Sequence, residues 1–342
     1  QRATVAVDEC LGIQPGQDVL VVEDGTLSPR LTEAFVYAAK AAGGDVTIVN
    51  YQPRHFISMR EFGLFAGASL RRHEFELPQP VLQALEAADV AIILNSDMEM
   101  LFDQRFLGLL GGDRKFAWIP YIDEDCFLRL FPENVQQVTE LHETTMAVGE
   151  LFAGSREAVV RSEAGTDVTM EIGDYRINWG TGVFQEGKGY GGLEVWPGGQ
   201  ISTMPNAGTA NGTVVIDRSV AAPEFRELLD PIRFTVEDGY VTKIDGGAEA
   251  RRMERFLAGL DDDGEAYHLT ELGVGTNKLC QVVAVAGPTE DTHTWGCVSL
   301  ALGADVHLGG ETIGGCHLDM TMRFATLLLD GQAVVEEGQL VV

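Results

Sequence analysis

The chain is poor in positive charge. Lys and Arg number 24 against 52 Asp and Glu, a formal net charge of −28 over 342 residues. A surface of that sign repels phosphate backbones and anionic headgroups, so neither nucleic acid nor a membrane is expected as a partner. Cysteine is scarce: Cys10, Cys126, Cys280, Cys297 and Cys316 are odd in number, far apart and free of any C-x-x-C pair. That pattern excludes a disulfide framework or a zinc ribbon and suits a reducing cytoplasm. No apolar run reaches the roughly 18 residues needed to cross a bilayer. No basic-then-apolar leader opens the numbering, which starts at Gln1 rather than Met and leaves room for a preceding piece. The first apolar run is followed by Glu23-Asp24-Gly25-Thr26 instead of a G-x-G-x-x-G turn, and acidic residues there would repel a pyrophosphate. A G-x-S-x-G elbow and a His-Glu-x-x-His helix are also missing, so no ready-made nucleophile is visible.

What is present alternates. Val19–Val22 is a short apolar run between turn signals, residues 31–42 have helical spacing up to Gly43-Gly44, and Val46–Val49 is again strand-like. A helix around 81–88 and apolar runs at 90–94 and 116–119 repeat the unit, which predicts a parallel sheet with helices on its faces. Residues 51–72 read as loop. A long helix over about 132–152 ends at Gly154-Ser155, and hairpin texture follows at 158–160, 168–172, 212–216, 232–236 and 240–244. The expected organisation is therefore an α/β domain over 1–154 and an α+β domain over 155–342. In the second, a helix over 248–260 stops at Asp261-Asp262-Asp263-Gly264, read as a solvated helix end because it lacks the spacing and distal Glu of a calcium loop.

Chemistry points to the C-terminal part, which holds His268, His293, His307 and His317 out of seven histidines. In Gly314-Gly315-Cys316-His317-Leu318-Asp319, the residues at 317 and 319 point to one face of a strand, so an imidazole and a carboxylate can converge on a cation or simply on each other. Glu271 lies in an apolar, glycine-punctuated stretch where a charged carboxylate needs a partner, either a cation shared with His317 and Asp319 or an arginine such as Arg323. His307 reads as a fourth ligand, a general acid/base or a surface loop residue; His268 as a neighbour of the site or an exposed side chain. His293, in a polar turn, reads as solvated. His55, His73 and His142 have no carboxylate at metal spacing. The Pro/Gly-rich stretch from Trp196 to Thr209 reads as a loop shaped to approach something.

The ordered segments Trp196-Pro197-Gly198-Gly199, Gly212–Asp217, Glu271–Asn277, Ser299–Gly303, Cys316–Asp319 and Asp330–Val334 resemble the metallo-aminopeptidases of the aminopeptidase T type. From Cys316 to Val342 the chain looks closer still to the 2,5-dihydroxypyridine 5,6-dioxygenases. The aminopeptidase likeness implies two metals, but two of its five ligand positions carry Thr209 and Ser299 here. Glu271, His317 and Asp319 remain, enough for one ion. The dioxygenase likeness implies one Fe(II) on two histidines and a carboxylate; Glu271 stands at the first of those ligand positions, and Val195 where a substrate-facing histidine precedes the Trp-Pro turn. His307 falls near a catalytic tyrosine of the aminopeptidases. The resulting expectation is a cytoplasmic, mononuclear metalloenzyme, a ring-cleaving dioxygenase of a small hydroxylated (hetero)aromatic. Glu271, His317 and Asp319 would hold one divalent ion, with Fe(II) favoured over Zn(II), Mn(II) or Co(II), and His307 or His268 would shuttle a proton. Homo-oligomers are implied. A metal-dependent hydrolase is the alternative, and a non-catalytic ligand-binding relative a third.

Overall fold

The computed structural model describes residues 1–25, 27–52, 77–95, 103–120, 124–185, 192–222, 225, 227–260, 264–282, 288–312 and 316–342. The segment 53–72, His55, His73, the acidic turn 261–263 and Gly314-Gly315 lie outside the described residues.

Four strands, β1 (Asp18–Glu23), β2 (Asp45–Asn50), β3 (Val90–Asn95) and β4 (Lys115–Pro120), are joined by helices Pro29–Ala41 and Gln79–Ala87 as their alternation predicts. Later strands are β5 (Glu157–Arg161), β6 (Asp167–Glu171), β7 (Asn178–Gly180), β8 (Leu193–Val195), β9 (Gln200–Thr203), β10 (Asn211–Ile216), β11 (Ser219–Val220), β12 (Ile232–Glu237) and β13 (Tyr240–Gly246). They continue with β14 (Leu269–Gly275), β15 (Val298–Gly303), β16 (His317–Thr321), β17 (Thr326–Leu329), β18 (Gln332–Glu336) and β19 (Gln339–Leu340).

The first sheet is parallel in the order β2-β1-β3-β4-β8. Both of its faces are covered, which is why β3 is apolar at every position from Val90 to Leu94. Val19, Val21, Ile92 and Ile119 pack under Phe35 and Phe127 on one side; Leu20, Ile93 and Trp118 pack under Val81 and Leu85 on the other. Each such side chain contributes about 1.5–3 kcal/mol by leaving water. β8 follows residue 154 in sequence, yet it joins this sheet beside β4.

The remaining strands form two antiparallel sheets, β13-β12-β10-β6-β5-β17-β18-β19 and β11-β16-β15-β14-β9-β7. Side chains from both share one core, in which Val160, Val214 and Phe234 of the larger sheet lie with Ile201, Leu272, Leu300 and Met320 of the smaller. The β12–β13 turn places Asp238 at φ 48° and Gly239 at φ 82°, the left-handed pair that a two-residue hairpin needs. Helix Val135–Gly154 spans the two parts: Val138 belongs to the parallel-sheet core and Val148 to the antiparallel one. The Trp196–Gly199 turn approaches the chain itself. Gly199 O accepts from Thr276 N at 2.8 Å, and a Cβ on Gly199 would meet Asn277 Cβ at 2.5 Å.

Two consequences can be measured. A Cβ on Gly149 would lie 2.3 Å from the Trp179 ring, so Gly149→Ala should destabilise the fold; overpacking of about 1–3 kcal/mol outweighs the roughly 1 kcal/mol of helix propensity that Ala supplies. Urea unfolding checks the sign. Asp103, buried, accepts from Leu77 N and from the backbone and guanidinium of Arg105 at 2.7–2.9 Å. Burial opposes its charge, but these contacts prevail and hold its carboxyl below the usual 3.8. Its contribution is therefore complete above that value and is lost as pH falls through the folded pKa. Asp103→Asn should cost about 1–3 kcal/mol at neutral pH, and denaturation curves should show the gap to wild type closing in acid.

Candidate metal centre

Register gives the smaller antiparallel sheet two unlike faces. Ile201, Leu272, Val274, Val298, Leu300, Leu318 and Met320 enter the core. Their alternates face the other way: Ser202, Gly273, Ser299, Thr321 and Ser219 lie in one cross-strand row. In the next row Glu271 pairs with Ala301 and Ala301 with Asp319, while His317 pairs with Gly303. A register shift between Leu269 and Glu271 marks a bulge at Thr270, the kind of irregularity that re-aims a side chain. The small Ala301 leaves the space between the two carboxylates open.

His307 reaches this face from a short 3-10 turn, Val306–Leu308. Its Nε2 lies 3.5 Å from Glu271 Oε2, and His317 Nε2 lies 3.5 Å from the same oxygen and 3.7 Å from Asp319 Oδ1. The two imidazoles meet edge to face at 87° with centroids 4.6 Å apart. All three groups are buried, Glu271 at 2% exposure. His317 Nδ1 sits 2.8 Å from Ala304 O; in the neutral ring it donates there, which leaves the Nε2 lone pair aimed at the carboxylates.

Burial opposes charge on Glu271, yet His307, the charge of His317 and a hydrogen bond with Ser202 outweigh it and hold the carboxyl below its ordinary value. Burial pushes Asp319 up to about 7, with His317 opposing and Glu271 adding. Burial likewise lowers His307, against the pull of Glu271. A lone pair facing a carboxylate oxygen at 3.5 Å is an acceptor facing an acceptor, and a cation between them resolves it. One ligand atom from each of Glu271, His307 and His317 lies within 4.8 Å of the others. Two ligands about 2.1 Å from a common ion are roughly 3–3.4 Å apart, so the set could hold one with little movement. Two imidazoles and a carboxylate, with Asp319 adjoining, suit a first-row divalent ion such as Fe(II).

The structure thus brings Glu271, His307 and His317 together with Asp319 beside His317. His268 sits apart from that trio, its Nδ1 3.5 Å from Asp305 Oδ2. Arg323 does not meet Glu271; it reaches Glu227 at 3.6 Å and Asp217 O at 3.0 Å. The expectation of a solvated His293 is corrected, because the helix carrying it packs against β14 and β16 and leaves the residue 2% exposed. Ser202 and Asp305 were not singled out in the sequence. Ser202 lies on β9 (Gln200–Thr203), a strand inside the stretch expected to be loop; Asp305 had no signal, since its partners are distant or across a loop. Ser299 Oγ and Asn178 Oδ1 are buried on the polar face without a protein hydrogen bond among the described residues.

A family model for NicX, 2,5-dihydroxypyridine 5,6-dioxygenase, matches residues 4–342. The chain belongs to this family. A curated relative, the 2,5-dihydroxypyridine 5,6-dioxygenase of Pseudomonas putida, is 29% identical over 204 residues, and the match spans 57% of this chain and 57% of the length of that relative. The solved structure of 2,5-dihydroxypyridine dioxygenase from Pseudomonas putida KT2440 superposes with a TM-score of 0.79 at 23% identity, covering 99% of this chain and 97% of that one. Wild-type AmpT from Thermus thermophilus follows at 0.66 and 13%, covering 100% and 98%. Both likenesses are of fold, the aminopeptidase T-like α/β fold in which this NicX-family chain carries its polar sheet face.

Ala301 is fully buried between the two carboxylates. Ala301→Val should therefore weaken Co(II) binding about tenfold, or about 1.4 kcal/mol, in a spectroscopic titration; unchanged affinity would show that no ion sits between Glu271 and Asp319.

Proposed function

We propose that the chain is a mononuclear, metal-dependent dioxygenase that opens the ring of a small dihydroxylated aromatic or heteroaromatic compound. The observation that carries the reading is the meeting of His307 and His317 on one oxygen of Glu271, in a chain of the 2,5-dihydroxypyridine 5,6-dioxygenase family. Glu271, His307 and His317 would hold one Fe(II), with Asp319 as a fourth group. Fe(II) held there would supply the one-electron chemistry that lets dioxygen react with a hydroxylated ring. Ser202 orients Glu271, and Ala304 O fixes the tautomer of His317. Asp319, whose carboxyl burial pushes up, stands 3.7 Å from His317 Nε2, where it can exchange a proton with a substrate hydroxyl.

A hydrolytic reading draws on that same Asp319: a second carboxylate makes a harder, more anionic site, suited to Zn(II) and a bound water. On the dioxygenase reading the substrate is a small molecule and the protein assembles as a homo-oligomer. Its place is the cytoplasm, where its five cysteines stay as thiols. Residues 1–154 and 155–342 serve as its two domains, except that the strand Leu193–Val195 belongs to the sheet of the first. Among the described residues no helix is long and apolar enough to cross a membrane.

Protein purified without added ions should carry about one iron per chain and consume oxygen with 2,5-dihydroxypyridine or a catechol. His317→Ala should lose the iron and lower turnover by at least about 100-fold. Zinc in place of iron, with amine release from dipeptides and no oxygen uptake, would replace this reading by the hydrolytic one; absence of any bound metal would end both.

A further inference from the structure

We propose that His268 is a positioning residue: paired with buried Asp305, it sets the place of His307 at the metal centre. The inference rests on the metal-centre reading above. His268 stands immediately before β14, three residues ahead of Glu271. Its backbone is pinned on both sides, its N–H donating to Glu265 O at 3.0 Å and its carbonyl accepting from Gly303 N at 2.9 Å. Its ring stacks on Tyr240, with centroids 4.9 Å apart and 23° between planes, and its Nδ1 faces Asp305 Oδ2 at 3.5 Å and Thr312 Oγ1 at 3.3 Å.

Asp305, at 1% exposure, organises the segment that carries His307. Its Oδ1 accepts from Thr312 N at 2.7 Å, its N–H donates to Thr312 O at 3.0 Å, and its carbonyl accepts from Leu308 N and Gly310 N at 2.9 and 3.2 Å. The segment folds down on the carboxylate so closely that a Cβ on Gly310 would lie 2.2 Å from Asp305 Oδ1. His268 Nδ1 makes the close ion-pair contact with Asp305, whose charge also acts on His307. A buried carboxylate that loses such a partner moves toward water or another donor. The His268–Asp305 contact and the Glu271–His307 contact therefore join the same two segments at two points. Breaking the first lets residues 305–312 shift, and His307 leaves Glu271.

The test is a Co(II) titration of the full chain, followed by visible absorption, for wild type, H268A, H268Q, H307A and H268A/H307A. Metal-free proteins are compared by 1H–13C NMR of the His307 ring. His268→Ala should weaken Co(II) binding about 10- to 100-fold, move the cobalt spectrum toward that of His307→Ala and shift the His307 resonances without metal. His268→Gln, whose amide nitrogen can take the place of Nδ1 beside Asp305 and Thr312, should stay within about threefold of wild type. In the His307→Ala background, removing His268 should cost under about twofold more, because the two residues act as one unit. An equal loss in both backgrounds, or unmoved His307 resonances, would overturn the proposal. If His268→Ala does not fold, a His268→Leu protein that matches His268→Gln in affinity and ring shifts would do the same. Wild type that binds no Co(II) would instead sink the metal-centre reading, while the NMR comparison still decides the positioning role.

Discussion

A carboxylate buried as deeply as Glu271 either gives up its charge or is met by a partner, and the chain meets it with imidazoles. Ion pairing with an arginine would give a permanent, closed salt bridge. Two histidines present neutral lone pairs as well as protonated N–H groups, so the same geometry can accept a cation from outside. Ser202 and the Ala304 carbonyl act on the ligands from behind, one on Glu271 and the other on His317. Neither contact fills the side where His307, His317 and Asp319 converge.

The six-stranded sheet makes this arrangement affordable in structural terms. One face is a continuous apolar layer shared with the eight-stranded sheet, so the strands are held whatever the other face carries. That other face is then free to be small and polar, with Gly273, Ala301 and Gly303 leaving room between Ser299, Glu271, Asp319 and His317. Period-two alternation, broken once by the bulge at Thr270, sets most of this: the residues that stabilise the sheet and those on its polar face are neighbours in sequence and opposite in space.

The N-terminal part contributes packing and enclosure. Its parallel sheet is covered on both faces, and the strand Leu193–Val195, late in sequence, returns to extend it. Arg129 of helix Glu124–Leu130 pairs with the buried Glu290 beside the antiparallel sheet. That pair ties the two parts together near the helix that covers Gly275, where a Cβ would meet Thr294 O at 2.1 Å.

Local pattern already carried the strands and helices: the apolar runs at 19–22, 90–94 and 116–119, the hairpin runs at 232–236 and 240–244, and the long helix ending at Gly154 are set by side-chain period and turn chemistry within a few residues. The pairing of His317 with Asp319 on one face follows from the same period. Glu271 could be marked as a charge in need of a partner and, through the family resemblance, set with His317 and Asp319. That His307 rather than Arg323 answers it, and that His268 turns to Asp305, depends on strand register and on how residues 305–312 close on a buried carboxylate. Those are contacts between segments some thirty to forty residues apart, and no local spacing records them, because a loop of that length can bring its ends together in many ways until the sheet selects one.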